Sequence, residues 1–523
     1  MECDILTEDG LNRTRTMAPL ILPHELFGAL HSRSAESWRT HVVNPDVCTK
    51  FWQEISTAPY MANHPVATNP SLWSTTVPLG FHGDGAAFTK LDKLMAFSWN
   101  PILLPGKLDR LDSRFMVAAL PTPWFLSGEE GPITMWQISA VMAWSFAVLL
   151  EGCYPACDHI LQPWPRGSHR ARLAGQPIAG GFRAIVADYR SDWQHTVMFW
   201  RVPDFNGVDA MCFECTASLD GPGQFSDFSD AAAAGRGQRS TAELQGQRLV
   251  NPFVLLPGFT LGCIKWDECH LVKLGVARLC VGSAMVVLCR RGVFGALPQD
   301  DQLKRAWAQF RDWAHRHRVQ HNVRSFTKAR LGISGTDYPE SATKAWQTRV
   351  LIAWLAEVSR DAPDAGANGS NATLALCLHW LAVFFSVMEQ AGFFFKPDEL
   401  ATFSNATQQF LASYSALAAE ALRTDELLWP IRPKHHGVCH LRLGALADFR
   451  NPKRFGCMLD EDFLGRIVKV ATKCHRRTMA RGVLLRYLTR LVHHWRRPPL
   501  RLRHRMWRPR RGVLRRPLPP PRL

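Results

Sequence analysis

The sequence predicts an α/β protein in which a mixed sheet of short strands is followed by a large helical insertion. Three observations point there. Apolar runs TTVPLGFHGD (75–84), KLMAFSWN (93–100) and RFMVAALP (114–121) succeed one another with polar breaks, as neighbouring strands of one sheet do. The run TMWQISAVMAWSFAVLLEG (134–152) is apolar on most sides and ends on glycine, so it reads as a helix packed on that sheet. Residues 301–425 are then mostly helical by period.

The other elements follow in order. Residues 1–60 read as partly helical, with ELFGALHSRSAESWRTHV as the clearest stretch, and the Pro/Asn/Ser-rich residues 61–76 read as a linker. GGFRAIVADYRSDW (180–193) supplies a fourth strand, which makes the order strand, strand, strand, helix, strand. Residues 217–248, around AAAAGRGQRS, read as a loop. HLVKLGVARLCVGSAMVVLCR is a buried helix, and SRDAPDAGANGSNAT (359–373) interrupts the helical region. LALCLHWLAVFFSVMEQAGFFF (374–395) is the longest apolar stretch. His379, Glu389 and Gln390 break it, so it reads as a buried helix and not a membrane span. CMLDEDFLGRIVKVATK (457–473) is a late helix with Asp460 as its cap.

Composition narrows the class. A chain of 523 residues, 46% apolar and 20% charged, is globular and long enough for two or three domains. Its charge of +17 is local: 19 Lys/Arg and no acid lie from Phe463 onward, and subtracting them leaves −2 for the first 462 residues. Fourteen cysteines are too sparse for a disulfide scaffold, and MECDILTEDG is not a signal peptide, so a reduced, intracellular setting without a membrane partner is expected.

Carboxylates at the ends of the first and fourth strands are a known means of holding two Mg²⁺ ions, with a third acid from a later helix. Asp84, between Gly83 and Gly85, is the first candidate; a turn aspartate is the plain alternative. Asp188 and Asp192 compete for the second place, and either also fits a solvent-facing role. Asp267, with His270 three residues on, is a ligand, a helix cap or a core hydrogen-bonding group. Cys212-Phe-Glu-Cys215 has the spacing of half a tetrahedral zinc site, or is two buried inert thiols. Partners for such a zinc are sought among Cys153, Cys157, His159, His195, Cys263, Cys269 and His270. His435, His436 and His440 read first as packed imidazoles, and second as groups approaching a phosphate.

GFHGDG, RSDW followed by MCFECTAS, KWDECHLVKLG, RSFTK, WPIRPKHHGVCHL and DEDFLGRIVKVATKCHRRT resemble a large repeated family of uncharacterised dinoflagellate proteins, over roughly residues 15–490. That family is distantly similar to CACTA-type cut-and-paste transposases, which carry an acidic triad on a ribonuclease H-like fold. The resemblance implies a ribonuclease H-like mixed sheet with a large α-helical insertion. It implies Asp84, Asp192 and Glu461 as catalytic Mg²⁺ ligands, with Asp460 and Asp462 competing for the third place. It also implies a structural Zn²⁺ knuckle at Cys212 and Cys215 and an Asp-x-x-His segment at Asp267 and His270. Ser191 stands where such enzymes carry glycine.

The expected organisation is a helical segment and linker (1–76), the sheet core with its knuckle (77–270), a helical insertion (271–450), helices completing the core (451–492) and an Arg/Pro-rich tail (493–523). The expected activity is metal-dependent strand nicking and joining on DNA. The alternative is a non-catalytic transposon-derived protein that binds nucleic acid or acts as a scaffold. The tail would contact phosphates, stack Trp495 and Trp507 on bases, and direct the protein to the nucleus; without that import signal it would be cytoplasmic. The insertion would order DNA ends or mediate homo-oligomerisation.

Overall fold

Strands β3 (Thr76–Ala87), β4 (Lys93–Pro101) and β5 (Phe115–Pro121), preceded by a hairpin of β1 (Glu2–Leu6) and β2 (Arg13–Met17), are followed by β6 (Arg183–Arg190) and β7 (Ile264–Lys265). They come from a computed structural model, which describes residues 1–6, 12–89, 92–104, 113–128, 131–221, 223–247, 250–362 and 370–496. Nearly all of the Arg/Pro-rich tail, Trp507 included, lies outside the described residues. Described helices of eight residues or more begin with α1 (Pro23–Arg33), α2 (Pro45–Ile55), α3 (Ile133–Glu151), α4 (Trp193–Trp200), α5 (Cys269–Arg290) and α6 (Gln299–Arg316). They continue with α7 (Ala345–Arg360), α8 (Ser370–Gln390), α9 (Pro397–Arg423), α10 (Pro433–Asp448), α11 (Met458–Ala471) and α12 (Met479–Arg496).

The protein is mixed α/β, and its main sheet has the order β5-β4-β3-β6-β7. The central strand β3 is antiparallel to β4, from Leu79↔Pro101 to Ala87↔Lys93, and parallel to β6, from Thr76↔Arg183 to His82↔Arg190. Both faces are covered, so the strands read as continuous apolar runs without polar alternation. Every residue of β5 is buried, and β3 is buried from Thr76 to Gly83 and emerges at Asp84. Phe81 of β3 meets Phe146 of α3 at 5.8 Å and Phe253 at 4.9 Å. Helix α11 packs on β3 and α12 on β5. The expected cap at Gly152 is observed, left-handed at φ 78°, where glycine alone is unstrained.

The chain divides into two compact units. The first holds the sheet: Met1–Val202, Arg239–Lys265 and the segment from Cys457. The second holds Pro203–Gln238 and Trp266–Gly456, with helices α5 to α10. Two expected boundaries move. Residues 1–76 belong to the sheet unit, since the Trp52 indole donates to the Thr76 carbonyl at 2.8 Å and stacks on His64. Residues 203–238, expected in the core, belong to the helical unit. The N-terminal hairpin also departs from the expected helical start. Its Asp4 exchanges two hydrogen bonds with Gln137 of α3, at 2.8 and 2.7 Å, which ties the hairpin to the core.

By length and composition α3, α5 and the Ala372–Gln390 part of α8 are apolar enough to cross a membrane, with 61%, 83% and 50% of their apolar windows buried inside the protein. Within their own units α3 packs on β6 and α1, α5 on α7 and α10, and α8 on α7 and α9. Trp495, expected to stack on bases, is instead buried against His41 and Phe115, because α12 turns its apolar face to the sheet.

Burial favours the neutral form of His24, His64 and His195 in the sheet unit. It pushes His24 and His64 down to about 4, and His195 to about 3 with help from His82. Unfolding exposes them to ordinary solvation, so the unfolded chain binds more protons than the folded one below pH 6.5. Stability therefore falls as the pH drops from about 6.5 toward 4. The expected result is a lower melting temperature at pH 5 than at pH 7.5, and an unchanged one would contradict these environments.

Candidate metal centres

The first centre lies at the point where β3 leaves the core. Residues two apart on a strand share a face, so His82 and Asp84 point the same way. Gly83 points the other way. A Cβ there would fall 2.7 Å from His195 Nε2 and 2.9 Å from Phe97, so glycine is required for α4 to approach the strand. This corrects the reading that both glycines clear space for a ligand: Gly83 makes room for a histidine behind the strand, and a Cβ at Gly85 would meet only Met95, at 3.6 Å. Asp84 Oδ1 accepts the Gly85 amide at 2.6 Å.

Glu461, in the first turn of α11, completes the group: one ligand atom each from His82, Asp84 and Glu461 lies within 4.8 Å of the others. All three residues belong to the sheet unit. His82 is buried, and the two acids are half-buried. The helix start favours a carboxylate there through its exposed N–H groups.

The acidic triplet 460–462 separates into three roles. Asp460 is fully buried and does not cap the helix; residue 457 stands at that position. It accepts Arg114 Nε at 2.7 Å and lies 3.5 Å from Arg190 Nη2. Burial alone would raise its pKa, but the two guanidinium groups outweigh burial and hold it well below the usual carboxylate range. Asp462 faces solvent and pairs with Arg466 at 3.3 Å. Replacing Asp460 with alanine strands two buried cations, so unfolding free energy should drop by about 3–5 kcal/mol in denaturant titration. The depressed pKa gives the sign with pH: the contribution is complete above ordinary carboxylate pH and is lost as acid protonates Asp460.

The other predicted acids lie elsewhere. Asp192 is the N-cap of α4, with Oδ1 accepting the His195 amide at 2.6 Å, and it is outside the cluster. Asp188 is buried within β6, opposite Gly80. In the helical unit, Asp267 takes the capping role: Oδ1 accepts the Cys269 amide at 2.9 Å and Oδ2 the His270 amide at 3.2 Å, while the His270 ring closes on Oδ2. That pair stands at the start of α5, and among the described residues it joins no metal-ligand group.

The second centre is in the helical unit. Cys212 and Cys215 meet His436 and His440, one turn apart on α10, and all four are buried. Cys212 Sγ is 3.3 Å from His440 Nε2, and Cys215 Sγ is 3.3 Å from His436 Nε2 and 3.4 Å from His440 Nε2. The two Nε2 atoms are 3.1 Å apart. A tetrahedral zinc with ordinary Zn–N and Zn–S bonds has ligand–ligand edges of about 3.3–3.8 Å. The cluster can therefore hold a metal such as zinc with little adjustment.

Its surroundings agree with that donor set. Glu214 Oε2 lies 2.8 Å from His440 Nδ1, the outer carboxylate that orients a ligating imidazole. Burial would depress His440, yet Glu214 and Cys215 raise it to about 9. Cys215 is held far below a usual thiol by Cys212 and the two histidines, while burial raises Cys212. Trp266 stacks on His440 at 5.5 Å and Phe213 on Trp266 at 4.2 Å, which screens the group from water.

This corrects the sequence reading twice. His436 and His440, read first as packed imidazoles, join the two cysteines in a group that can hold a metal. The partners sought at Cys153, Cys157, His159, His195, Cys263, Cys269 and His270 are not in the group. The available signal was the H-x-x-x-H spacing on a helix, which pairs with C-x-x-C in zinc sites. Its distance of more than 200 residues from the cysteines hid it. Compared with known proteins, the chain matches no family model and no curated protein.

Proposed function

We propose that this protein is a transposase-like enzyme of ribonuclease H-like fold that performs metal-dependent phosphoryl transfer on DNA. The observation that carries the reading is the meeting of Asp84 and Glu461, 377 residues apart in the chain, at the open end of the central strand. The sheet order supports it. Strands β3, β4 and β5 form an antiparallel meander, and β6 and β7 run parallel to β3 on its other side, which is what the ribonuclease H-like resemblance leads one to expect.

In this reading Asp84 and Glu461 ligate the divalent ion. Asp192 begins just past the β3–β6 pairing, which ends at His82↔Arg190, so its carboxylate starts near the same strand ends. Its Oδ1 caps α4, and Oδ2 is the oxygen assigned to metal. The resemblance expects Mg²⁺, which when bound activates water or a 3′-hydroxyl for attack on a phosphodiester. Zn²⁺ at the Cys₂His₂ group is structural. Arg481, Arg486 and Arg490 are exposed on α12, in a segment without acids from Phe463 on, and supply phosphate contacts without sequence preference. Nuclear location and self-association through the helical unit belong to the same proposal, and a membrane partner does not.

The test is nicking of supercoiled plasmid by the zinc-loaded full chain with a divalent ion. Asp192→Asn is the informative variant, because asparagine caps a helix as well as aspartate does. It should fold normally and lose at least about 100-fold in nicking, as expected when a metal-holding charge is removed. A second reading is favoured by the capping role of Asp192: a non-catalytic transposon-derived protein that binds nucleic acid or acts as a scaffold. Absence of nicking by a metal-bound parent would establish that reading instead.

A further inference from the structure

The group at the end of β3 differs from an all-carboxylate site in one respect: it contains an imidazole. We infer that His82 is a metal ligand, and that the His82–Asp84–Glu461 group selects a first-row transition ion, Mn²⁺, over Mg²⁺. The inference rests on the proposed function for what the ion does, but not for whether and how it is held.

The geometry supplies the argument. His82 and Asp84 sit on one face of β3: His82 is held on both sides, opposite Ser98 and Arg190, and Asp84 on one side, opposite Ala96. Donors on a paired central strand are fixed far better than donors on a loop. Glu461 brings the third donor from α11, and the ligand atoms lie within 4.8 Å of one another. His82 is buried while the acids are half-buried, so the nitrogen forms the floor and the oxygens the rim. Positions on the rim side are those through which water and a phosphate oxygen would reach an ion.

The donor chemistry decides which ion. Mg²⁺ prefers an octahedron of oxygens and keeps several waters. Imidazole suits the later first-row ions, while carboxylate suits Mn²⁺ as well as Mg²⁺. One nitrogen and two carboxylates therefore favour Mn²⁺, the ion in this series that also retains an oxygen-rich octahedral shell. The competing role for His82 is electrostatic. It lies near enough to Asp460 to help hold that carboxylate ionised, but Arg114 and Arg190 are the larger contributors. Removing His82 thus leaves Asp460 with both guanidinium partners.

The test uses the zinc-loaded full chain and Mn²⁺ itself. Electron spin-echo spectra of the Mn²⁺ complex should show coupling to an imidazole nitrogen, and Mn²⁺ should bind at least about 10-fold tighter than Mg²⁺. His82→Gln should abolish the coupling and weaken Mn²⁺ binding by about 10–100-fold, with Mg²⁺ binding little changed. Asp84→Asn should weaken both ions. If the glutamine variant fails to fold, the spectrum of the parent still decides. Absence of nitrogen coupling in the parent, or equal affinity for the two ions, overturns the inference. Nitrogen-coupled Mn²⁺ without DNA nicking keeps it and removes the phosphoryl-transfer reading. Mg²⁺-driven nicking that His82→Gln leaves intact does the reverse.

Discussion

Under the proposed function, Asp84→Asn is expected to reduce metal-dependent DNA nicking by about 1,000-fold while leaving the fold intact. A metal ion contributes several kcal/mol to stabilising charge in such a transition state, and about 4 kcal/mol corresponds to three decades in rate. Asp84 lies where β3 emerges from the core, so its side chain carries little packing. Asparagine preserves its size and the acceptor for the Gly85 amide at 2.6 Å. What disappears is one negative charge beside Glu461. Glu461→Gln should act the same way, since its carboxylate belongs to the same group. The control is Asp462→Asn, one residue along α11, which changes an exposed pair with Arg466 and should leave nicking within about twofold, as weak surface pairs do. Plasmid relaxation over a range of Mn²⁺ and Mg²⁺ concentrations measures all three. Full activity in the Asp84 variant would exclude this group as the reaction centre.

Loss of the Cys₂His₂ group should have the largest effect on stability. The purified chain is expected to carry one zinc, and Cys212→Ser or a strong chelator should release it. Metal binding is coupled to folding because the four donors converge only in the folded chain. Its removal brings two thiols and two imidazoles together without a cation, buried under Trp266 and Phe213. A drop of roughly 10 °C in melting temperature, confined to the helical unit, is the expected size for losing a few kcal/mol in a domain of this length. Glu214→Gln should leave the ligands in place and weaken zinc by about 10–100-fold, because the outer carboxylate orients His440. Metal analysis and thermal unfolding with and without added zinc measure both effects. A zinc-free preparation of unchanged stability would mean that the four side chains are only packed.

The two centres differ in how readily the sequence reveals them. Asp84 was legible because a carboxylate between glycines at the end of an apolar run is a local pattern, and the strands around it have the lengths that burial demands. Cys212 and Cys215 were legible for the same reason, as a two-residue spacing at a turn. His436 and His440 carried an equally local signal, but their histidines also fit an apolar helix, and burial masks ligand identity. Asp192 is a different case. Its sequence position after β6 matches a ligand, while the local backbone uses one of its oxygens as a cap. The Asp460–Glu461–Asp462 triplet could not be divided from sequence at all. Consecutive helical residues point about 100° apart, and only the packing of α11 against β3 turned Asp460 inward to two arginines and Glu461 toward Asp84.

By itself the sequence determined local matters: which runs are strands and helices, where glycine ends α3, that the positive charge is gathered from Phe463 onward, and which residue types are available for chemistry. These depend on periodicity, capping and composition, and each is written within a few residues. The tertiary structure alone decided which distant residues share a site. It joined Glu461 to Asp84 and His82, and His436 and His440 to the cysteine pair, and it assigned Asp460 and Asp267 to ion pairing and capping. The physical reason is that a metal group needs donors converging on one point, and convergence across hundreds of residues is a property of packed elements that no local pattern encodes.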